Sequence, residues 1–365
     1  MAQRRTIGPT AWLLGGAGLL IGAVAAWLIS QGNPGNMGLC IACFLRDITG
    51  FFAGKVTNQG AVAYIRPEII GIILGAMGAA LFTREFRPRG GSQPLIRFVL
   101  GFIFMSSALV FLGCTVRAWL RLGGGDLTAI WGILGIVAGV LIGIVFLKKG
   151  FNLGRTKTVA KPLGWILPVF ALVLLGFAVM SAAGSAPDWT LLTAAGDGPG
   201  ALSAPLLISL AAGLLIGIVA QRSRFCSIGG IRDAILVRRY DLLFGVIGLL
   251  VGTTVVNLIL GQYHLGFINQ PVAHNDILGN FAAMTIATFA AMMLGGCPLR
   301  QIIMSSEGDA DSTTAVAGML VGAGFTHWAG LASSGKGLSA IAWPGLAVMM
   351  VVLLAIAWYG TRKTA

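Results

Sequence analysis

Residues 11–30 read AWLLGGAGLLIGAVAAWLIS, a run of apolar and small residues with no charged side chain. A helix of about 20 such residues is long enough to cross the hydrocarbon core of a bilayer. The run lacks the two-residue alternation of a membrane β-strand, so a helix is favoured over a barrel. It is also long for the apolar region of a secretory signal, so we interpret it as a retained first span.

The composition extends this interpretation to the whole chain of 365 residues, of which 56% are hydrophobic, 10% are charged and 54 are glycine. Soluble domains carry about 25% charged residues, so a disordered chain, a coiled coil and an ordinary soluble globule are excluded. The sequence predicts an all-α polytopic membrane protein. The predicted spans are 11–30, 68–83, 98–113, 127–147, 163–183, 202–220, 242–260, 277–296, 313–334 and 338–359.

Lysine and arginine placement predicts the orientation of these spans, because cytoplasmic loops are enriched in both residues. With the N-terminus inside, most basic residues fall in segments on the cytoplasmic side, from Arg4 and Arg5 to Arg362 and Lys363. The connection 184–201 has no basic residue and falls outside. We therefore expect both termini in the cytoplasm. The net charge of +13 is then largely an orientation signal rather than a surface for nucleic acid.

Three motifs recur in order along the chain, which indicates an internal duplication. The sequence GLLIG occurs at 18–22 and 213–217; Cys40 precedes Arg46-Asp47 as Cys226 precedes Arg232-Asp233; and Gly113-Cys114-Thr-Val-Arg117 matches Gly296-Cys297-Pro-Leu-Arg300. Each half then has five spans. Because five is odd, the second half starts from the other face, which predicts inverted repeats with a site near the midplane.

The predicted organisation has a first membrane repeat at 1–161, the fifth-to-sixth span region with its external loop at 162–201, and a second, inverted repeat at 202–365. The segments that carry the cysteines are more polar than a lipid-facing helix and too short to cross. We interpret them as short re-entrant or broken helices, which a membrane tolerates where protein or water covers them.

The repeated cysteines are the candidate pore-lining residues: Cys40, Cys114, Cys226 and Cys297. Arg117 and Arg300 each follow a cysteine by three residues, so on a helix the thiol and guanidinium would share a face. Arginine attracts an anion and its planar fork suits an oxyanion. Cys43 has no counterpart in the second half and is expected to be a small buried hydrophobe.

Other repeated residues are expected to support this path. Arg46-Asp47 and Arg232-Asp233 are expected to form ion pairs, because a buried arginine requires a partner. Gly229 and Gly230 would allow close approach of a backbone or ligand. We expect no metal, because zinc needs clustered ligands, and no cofactor, since no nucleotide motif occurs.

Two polar regions of the sequence are expected to be solvated. The first is the acidic cytoplasmic turn that carries Glu307, Asp309 and Asp311. The second is the external loop with His264 and His274. His327 lies in a span beside Trp328 and is expected to pack in the core.

The motifs resemble the YeeE/YedE sulphur-transport family, most closely its YedE branch of selenium transporters. The residues that carry the resemblance are QRSRFCSIGGIRD at 221–233, LGGCPLRQ at 294–301, EGDAD at 307–311 and GMLVG at 318–322. The resemblance covers the whole chain and is sharpest over 205–335. It implies a bacterial inner-membrane protein that takes up thiosulfate or a related small sulphur or selenium species.

The resemblance also implies that Cys40, Cys114, Cys226 and Cys297 contact the substrate through S–H···S hydrogen bonds in a narrow pore. A TusA-like cytoplasmic sulphur carrier is an implied partner. The chain departs from thiosulfate-type members in its length and in Cys43.

Two alternatives to a non-enzymatic transporter remain open. One is a membrane thiol–disulfide redox protein, for which Cys40–Cys43 is a candidate pair. The other is a membrane scaffold for the sulphur carrier, without conduction.

Overall fold

The computed structural model describes residues 9–183 and 192–362. Arg4, Arg5 and Lys363, which contribute to the predicted orientation, lie outside the described residues. The described residues are mostly helical, with one two-stranded antiparallel pairing of β1 (Arg89–Gly90) with β2 (Lys157–Thr158). An all-α membrane protein is therefore confirmed at this level.

The described residues of the first half form eight α-helices and a 3-10 turn. They are α1 (Pro9–Ser30), α2 (Ile41–Thr57), the 3-10 turn (Gly60–Val62), α3 (Pro67–Phe82), α4 (Pro94–Phe111), α5 (Thr115–Gly123), α6 (Ala129–Lys148), α7 (Lys161–Gly164) and α8 (Ile166–Ala182). The second half continues with α9 (Gly198–Ala201), α10 (Leu206–Ser223), α11 (Ser227–Leu236), α12 (Asp241–Ile259), α13 (Ile277–Leu294), α14 (Pro298–Ser306), α15 (Ala310–Trp328) and α16 (Ala342–Arg362).

Among the described residues, seven helical segments are long and apolar enough to cross a membrane. Three of these segments combine a long helix with a short one, namely α4 with α5, α10 with α11 and α13 with α14. Two predicted spans form the shorter apolar helices α3 and α8. The predicted span 313–334 forms α15, whose first turns carry Ser312, Thr313 and Thr314.

Glycines bring helices of the two halves into backbone contact. A Cβ on Gly18 of α1 would collide with the Gly245 carbonyl of α12, and one on Gly213 of α10 would collide with the Glu68 carbonyl of α3. Only glycine permits such a close approach. Contacts advance in the same direction along both members of each pair, so α1 runs parallel to α12 and α3 to α10.

Two further parallel pairs build the centre of the bundle. Gly318 of α15 lies against the Phe98 carbonyl of α4, and Gly139 of α6 lies against the Thr285 carbonyl of α13. Helices α4 and α13 also pack on each other. The segments 1–161 and 202–365 are thus interleaved in one bundle, since each pair takes one helix from each segment.

Four helices that each follow a cysteine pack within this bundle, namely α2, α5, α11 and α14. Helix α2 packs on α15, α5 on α12, α11 on α12 and α6, and α14 on α3 and α15. Both α5 and α14 are nine residues long, too short to cross a bilayer. The surrounding long helices therefore hold four helix ends within the protein interior.

Candidate functional site

Each repeated cysteine is the residue immediately before one of these four helices. Cys40, Cys114, Cys226 and Cys297 are the N-caps of α2, α5, α11 and α14, and all four have extended backbone angles. The first backbone N–H groups of a helix lack partners within the helix. Cys40 Sγ accepts a hydrogen bond from the Cys43 N–H at 3.3 Å, and Cys226 Sγ accepts one from the Gly229 N–H at 3.2 Å.

The thiols form two neighbouring pairs. Cys40 Sγ lies 3.9 Å from Cys114 Sγ. In the second pair, the Cys297 N–H donates to Cys226 Sγ at 3.4 Å. The structure thus brings together the four cysteines two by two, each pair within its own half of the chain.

A hydrogen bond between two hydroxyls connects the pairs. Thr115 Oγ1 and Ser227 Oγ lie 2.9 Å apart, and these residues directly follow Cys114 and Cys226. Both hydroxyl residues are fully buried. The N-termini of α5 and α11 therefore meet, and the four cysteines form one continuous polar cluster across the interface of the two halves.

This cluster has the chemistry of an anion site for a soft atom. Helix N-termini carry a positive partial charge and direct N–H groups outward, which favours a bound anion. The Cys40 and Cys226 thiols accept hydrogen bonds from such N–H groups, whereas Cys114 and Cys297 make no side-chain capping hydrogen bond. Thiols add polarisable sulfur with weak donor character. All five cysteines are free and buried.

Arg117 lies close to this cluster, but backbone carbonyls hold its guanidinium. The group donates to the carbonyls of Asn36 at 2.8 Å and Val272 at 3.0 Å, and also to that of Leu112. Its Nη1 is 3.6 Å from Cys43 Sγ. The sequence placed the Arg117 guanidinium and the Cys114 thiol on one helical face. Cys114 is instead the N-cap of α5, and the guanidinium approaches Cys43. Asn36 and Val272 lie in loops of different halves, so Arg117 ties these loops together.

Arg300, the counterpart of Arg117, has a different environment. Its Nη1 lies 3.5 Å from Glu307 Oε1, and its side chain is 13% exposed. That nitrogen is buried and has no hydrogen-bond partner among the described residues. A Cβ on Gly296 would contact the Arg300 stem at 3.0 Å and Cys226 Sγ at 3.8 Å. The Arg300 side chain therefore passes close to the second thiol pair.

The Arg46-Asp47 pair is part of a larger buried ion cluster. Asp47 accepts from Arg46 at 2.6 Å and from Arg66 at 2.7 Å, and all three side chains are at most 3% exposed. Arg66 also donates to the carbonyls of Leu202 and Pro199. Local sequence gave no sign of the Arg66 contact, because Arg66 lies 19 residues from Asp47, outside the repeated motif.

The second-half counterpart is simpler and more exposed. Arg232 pairs with Asp233 at 2.8 Å, with side-chain exposures of 30% and 24%. Gly229 and Gly230 lie where α11 meets α12: a Cβ on Gly230 would be 3.0 Å from the Leu242 carbonyl, and one on Gly229 would be 3.3 Å from Cys226 Sγ. These glycines thus serve helix packing beside the thiol.

The acidic turn that was expected to be solvated is buried, whereas the external loop is largely exposed, at His264 among others, and buries His274. Glu307, Asp309 and Asp311 are each less than 9% exposed and bind the segment 87–97 of the first half. His274 is 2% exposed, and its Nε2 lies 2.8 Å from the Val110 carbonyl. The expectation was wrong for the acidic turn and for His274, because the segment 87–97 covers the turn and helix α4 contacts His274, and local sequence carries no signal for such contacts.

The described parts of the chain contain no group of three or more histidine, cysteine, aspartate or glutamate side chains arranged to hold a metal ion.

A protein-family model described as "Sulphur transport" matches residues 1–116. The resemblance to the YeeE/YedE sulphur-transport family is thus confirmed over this part of the chain, which includes α1 to α4 and the first thiol pair. The quoted motifs lie mainly in the second half, beyond the matched range. A search of curated proteins finds no match.

Proposed function

We propose that the protein is an inner-membrane transporter or channel that takes up a small sulphur- or selenium-containing anion resembling thiosulfate. The family match over residues 1–116 and the membrane-span helices support a sulphur-related membrane transporter. The observation that carries the proposal is the convergence of four cysteine N-caps through the Thr115–Ser227 hydrogen bond.

The mechanism follows from the chemistry of the cluster. Helix N-termini and arginines attract the charge, while thiols at Cys40, Cys114, Cys226 and Cys297 contact the soft atom. Each contact is weak, and conduction requires sites that bind firmly enough to admit an ion and weakly enough to release it. A series of similar thiol sites lets the anion move from one pair to the next without a single deep energy minimum.

The proposed architecture is an inverted repeat with both termini in the cytoplasm. Its support is the reciprocal packing: α1 contacts α12 as α10 contacts α3, and α4 contacts α15 as α13 contacts α6. The two GLLIG copies lie at matching positions in two of these pairs. Basic residues on the predicted inner side support the orientation.

We further propose that the structure is closed at its outer face. In the proposed orientation the outer loops are those that Arg117 ties together through Asn36 and Val272. On the inner side Arg232 is 30% exposed, whereas its outer counterpart Arg46 is 3% exposed. Uptake then requires release of the Arg117 contacts, which frees its guanidinium for the arriving anion.

A TusA-like cytoplasmic sulphur carrier is the proposed partner. The inner face offers exposed arginines, including Arg222 and Arg224, which share the single carboxylate of Glu85. The excess positive charge suits an acidic carrier surface. Co-purification with such a carrier, lost on Arg222→Glu and Arg224→Glu, is the expected result.

The function is tested by flux of labelled thiosulfate, selenite and sulfate into proteoliposomes that contain only this protein. We expect thiosulfate or selenite flux, with a loss of tenfold or more on Cys226→Ala. Thr254→Val is the control, because the Thr254 hydroxyl donates to the Leu250 carbonyl of its own helix and not to the thiol cluster. Undiminished flux in single and paired variants of the four cysteines would contradict the proposal. Flux by the protein alone also excludes a pure scaffold.

A thiol–disulfide redox protein is the second candidate, favoured by the 3.9 Å separation of Cys40 Sγ and Cys114 Sγ. A disulfide needs about 2.05 Å, so a small side-chain movement would close this gap. Alkylation mass shifts that do not change between oxidised and reduced membranes would exclude this candidate.

A further inference from the structure

The Glu307 carboxylate, at the end of α14, lies between Arg300 and Arg89, and Arg89 also pairs with Asp309 at 3.2 Å. Glu307 Oε1 is 3.5 Å from Arg300 Nη1, and Glu307 Oε2 is 3.4 Å from Arg89 Nη2. Charge-assisted hydrogen bonds are normally about 2.7–2.9 Å. Both pairs are therefore loose contacts of opposite charges, although the Glu307 side chain is only 8% exposed.

Arg300 is incompletely satisfied beside the thiols. Its buried Nη1 has no hydrogen-bond acceptor among the described residues, and such a group is costly to leave unpaired. Its stem and Cys226 Sγ both lie within 4 Å of the Cβ position of Gly296. Arg300 is thus a cation with spare binding capacity next to the second thiol pair.

The first half has no equivalent of this carboxylate. The offset that relates Cys114 to Cys297 also relates Gly124 to Glu307, so glycine stands at the matching position. Arg117 is held by neutral carbonyls, whereas Arg300 faces a negative charge. An anion that reaches Arg300 must therefore compete with Glu307, whereas no such competitor faces Arg117 among the contacts described.

We propose that Glu307 is a positioning residue that competes with the transported anion for Arg300 and so promotes its release. Glu307 neutralises Arg300 when the path is empty. The anion at Cys226 displaces it, and the return of Arg300 to Glu307 expels the anion toward the inner face. While the anion occupies Arg300, Arg89 keeps Glu307 paired. This inference rests on the proposed function.

The test measures thiosulfate flux into proteoliposomes over a range of concentrations, for the wild type and Glu307→Gln. Without the competing charge, the anion should bind Arg300 more tightly and leave more slowly. We expect the half-saturating concentration to fall about tenfold, equivalent to about 1.4 kcal/mol, and the maximal rate to fall severalfold.

Arg89→Gln is the matched control, because it removes the other cation and leaves the carboxylate. Glu307 should then bind Arg300 more strongly, so the half-saturating concentration should rise severalfold. A purely structural role would lower the maximal rate in both variants without moving these concentrations in opposite directions.

The outcomes separate the inference from the proposed function. Wild-type flux with an unchanged or higher half-saturating concentration in Glu307→Gln overturns the inference alone. If Glu307→Gln fails to assemble, an unchanged half-saturating concentration in Arg89→Gln overturns it instead. No wild-type flux of thiosulfate, selenite or sulfate overturns the proposed function, and the inference with it.

Discussion

The hydrogen bond between Thr115 and Ser227 offers a direct test of the four-cysteine cluster. Its oxygens are 2.9 Å apart, and each hydroxyl has the other as its side-chain partner in the described contacts. Thr115→Val is nearly isosteric and leaves the Ser227 hydroxyl buried without that partner. Ser227→Ala likewise leaves the Thr115 hydroxyl buried without its partner. An unpaired buried hydroxyl costs about 1–3 kcal/mol.

The magnitude follows from comparison with the double variant. The double variant removes both hydroxyls and leaves neither one unpaired. Its loss in the free energy of unfolding should therefore be smaller than the sum of the losses in the two single variants. Side-chain hydrogen bonds in membrane proteins contribute about 0.6 kcal/mol on average and at most about 1.7 kcal/mol. We expect a coupling free energy of about 1 kcal/mol.

The assay is reversible unfolding in mixed micelles, with the free energy of unfolding measured for the wild type, both single variants and the double variant. Thr254→Val is the control, since its hydroxyl donates only to its own helix at Leu250. Strictly additive single costs would refute the reasoning, because they would mean that the N-termini of α5 and α11 do not meet through these hydroxyls.

Two further predictions concern the interior. Asp47→Asn leaves Arg46 and Arg66 buried without a carboxylate, and we expect a loss of about 3–5 kcal/mol in the free energy of unfolding; a loss below 1 kcal/mol would contradict a buried cluster. Gly213→Ala drives a methyl group into the α3 backbone and should destabilise by several kcal/mol, whereas Gly176→Ala meets nothing within 4 Å and should be neutral or slightly stabilising in the same unfolding assay. Equal effects of the two glycine variants would argue against the α3–α10 packing.

Much of the fold was predictable from local pattern. The uncharged run 11–30 forms α1, and all ten predicted spans overlap helices. This success has a simple cause, because a helix in lipid must satisfy its backbone internally and expose apolar side chains, and both demands are local. Short cysteine-bearing helices were also predicted, and α5, α11 and α14 have nine or ten residues, whereas α2 has 17.

The site was predictable only in part. Repetition of the motifs identified Cys40, Cys114, Cys226 and Cys297, but it could not predict the 3.9 Å contact between the Cys40 and Cys114 thiols, which lie 74 residues apart in the chain. The thiols lie at N-caps, so helical spacing within one element does not decide which groups meet.

By itself, the sequence determined the membrane class and the helical state; the duplication and the residues of an anion path are its predictions. Only the tertiary structure decided the partners: Arg66 on Asp47, Thr115 on Ser227 and Glu307 between Arg89 and Arg300. The physical reason is that helix formation depends on neighbours a few residues apart. Glycine-mediated helix packing, in contrast, joins backbones from opposite halves of the chain and sets the distances between their side chains.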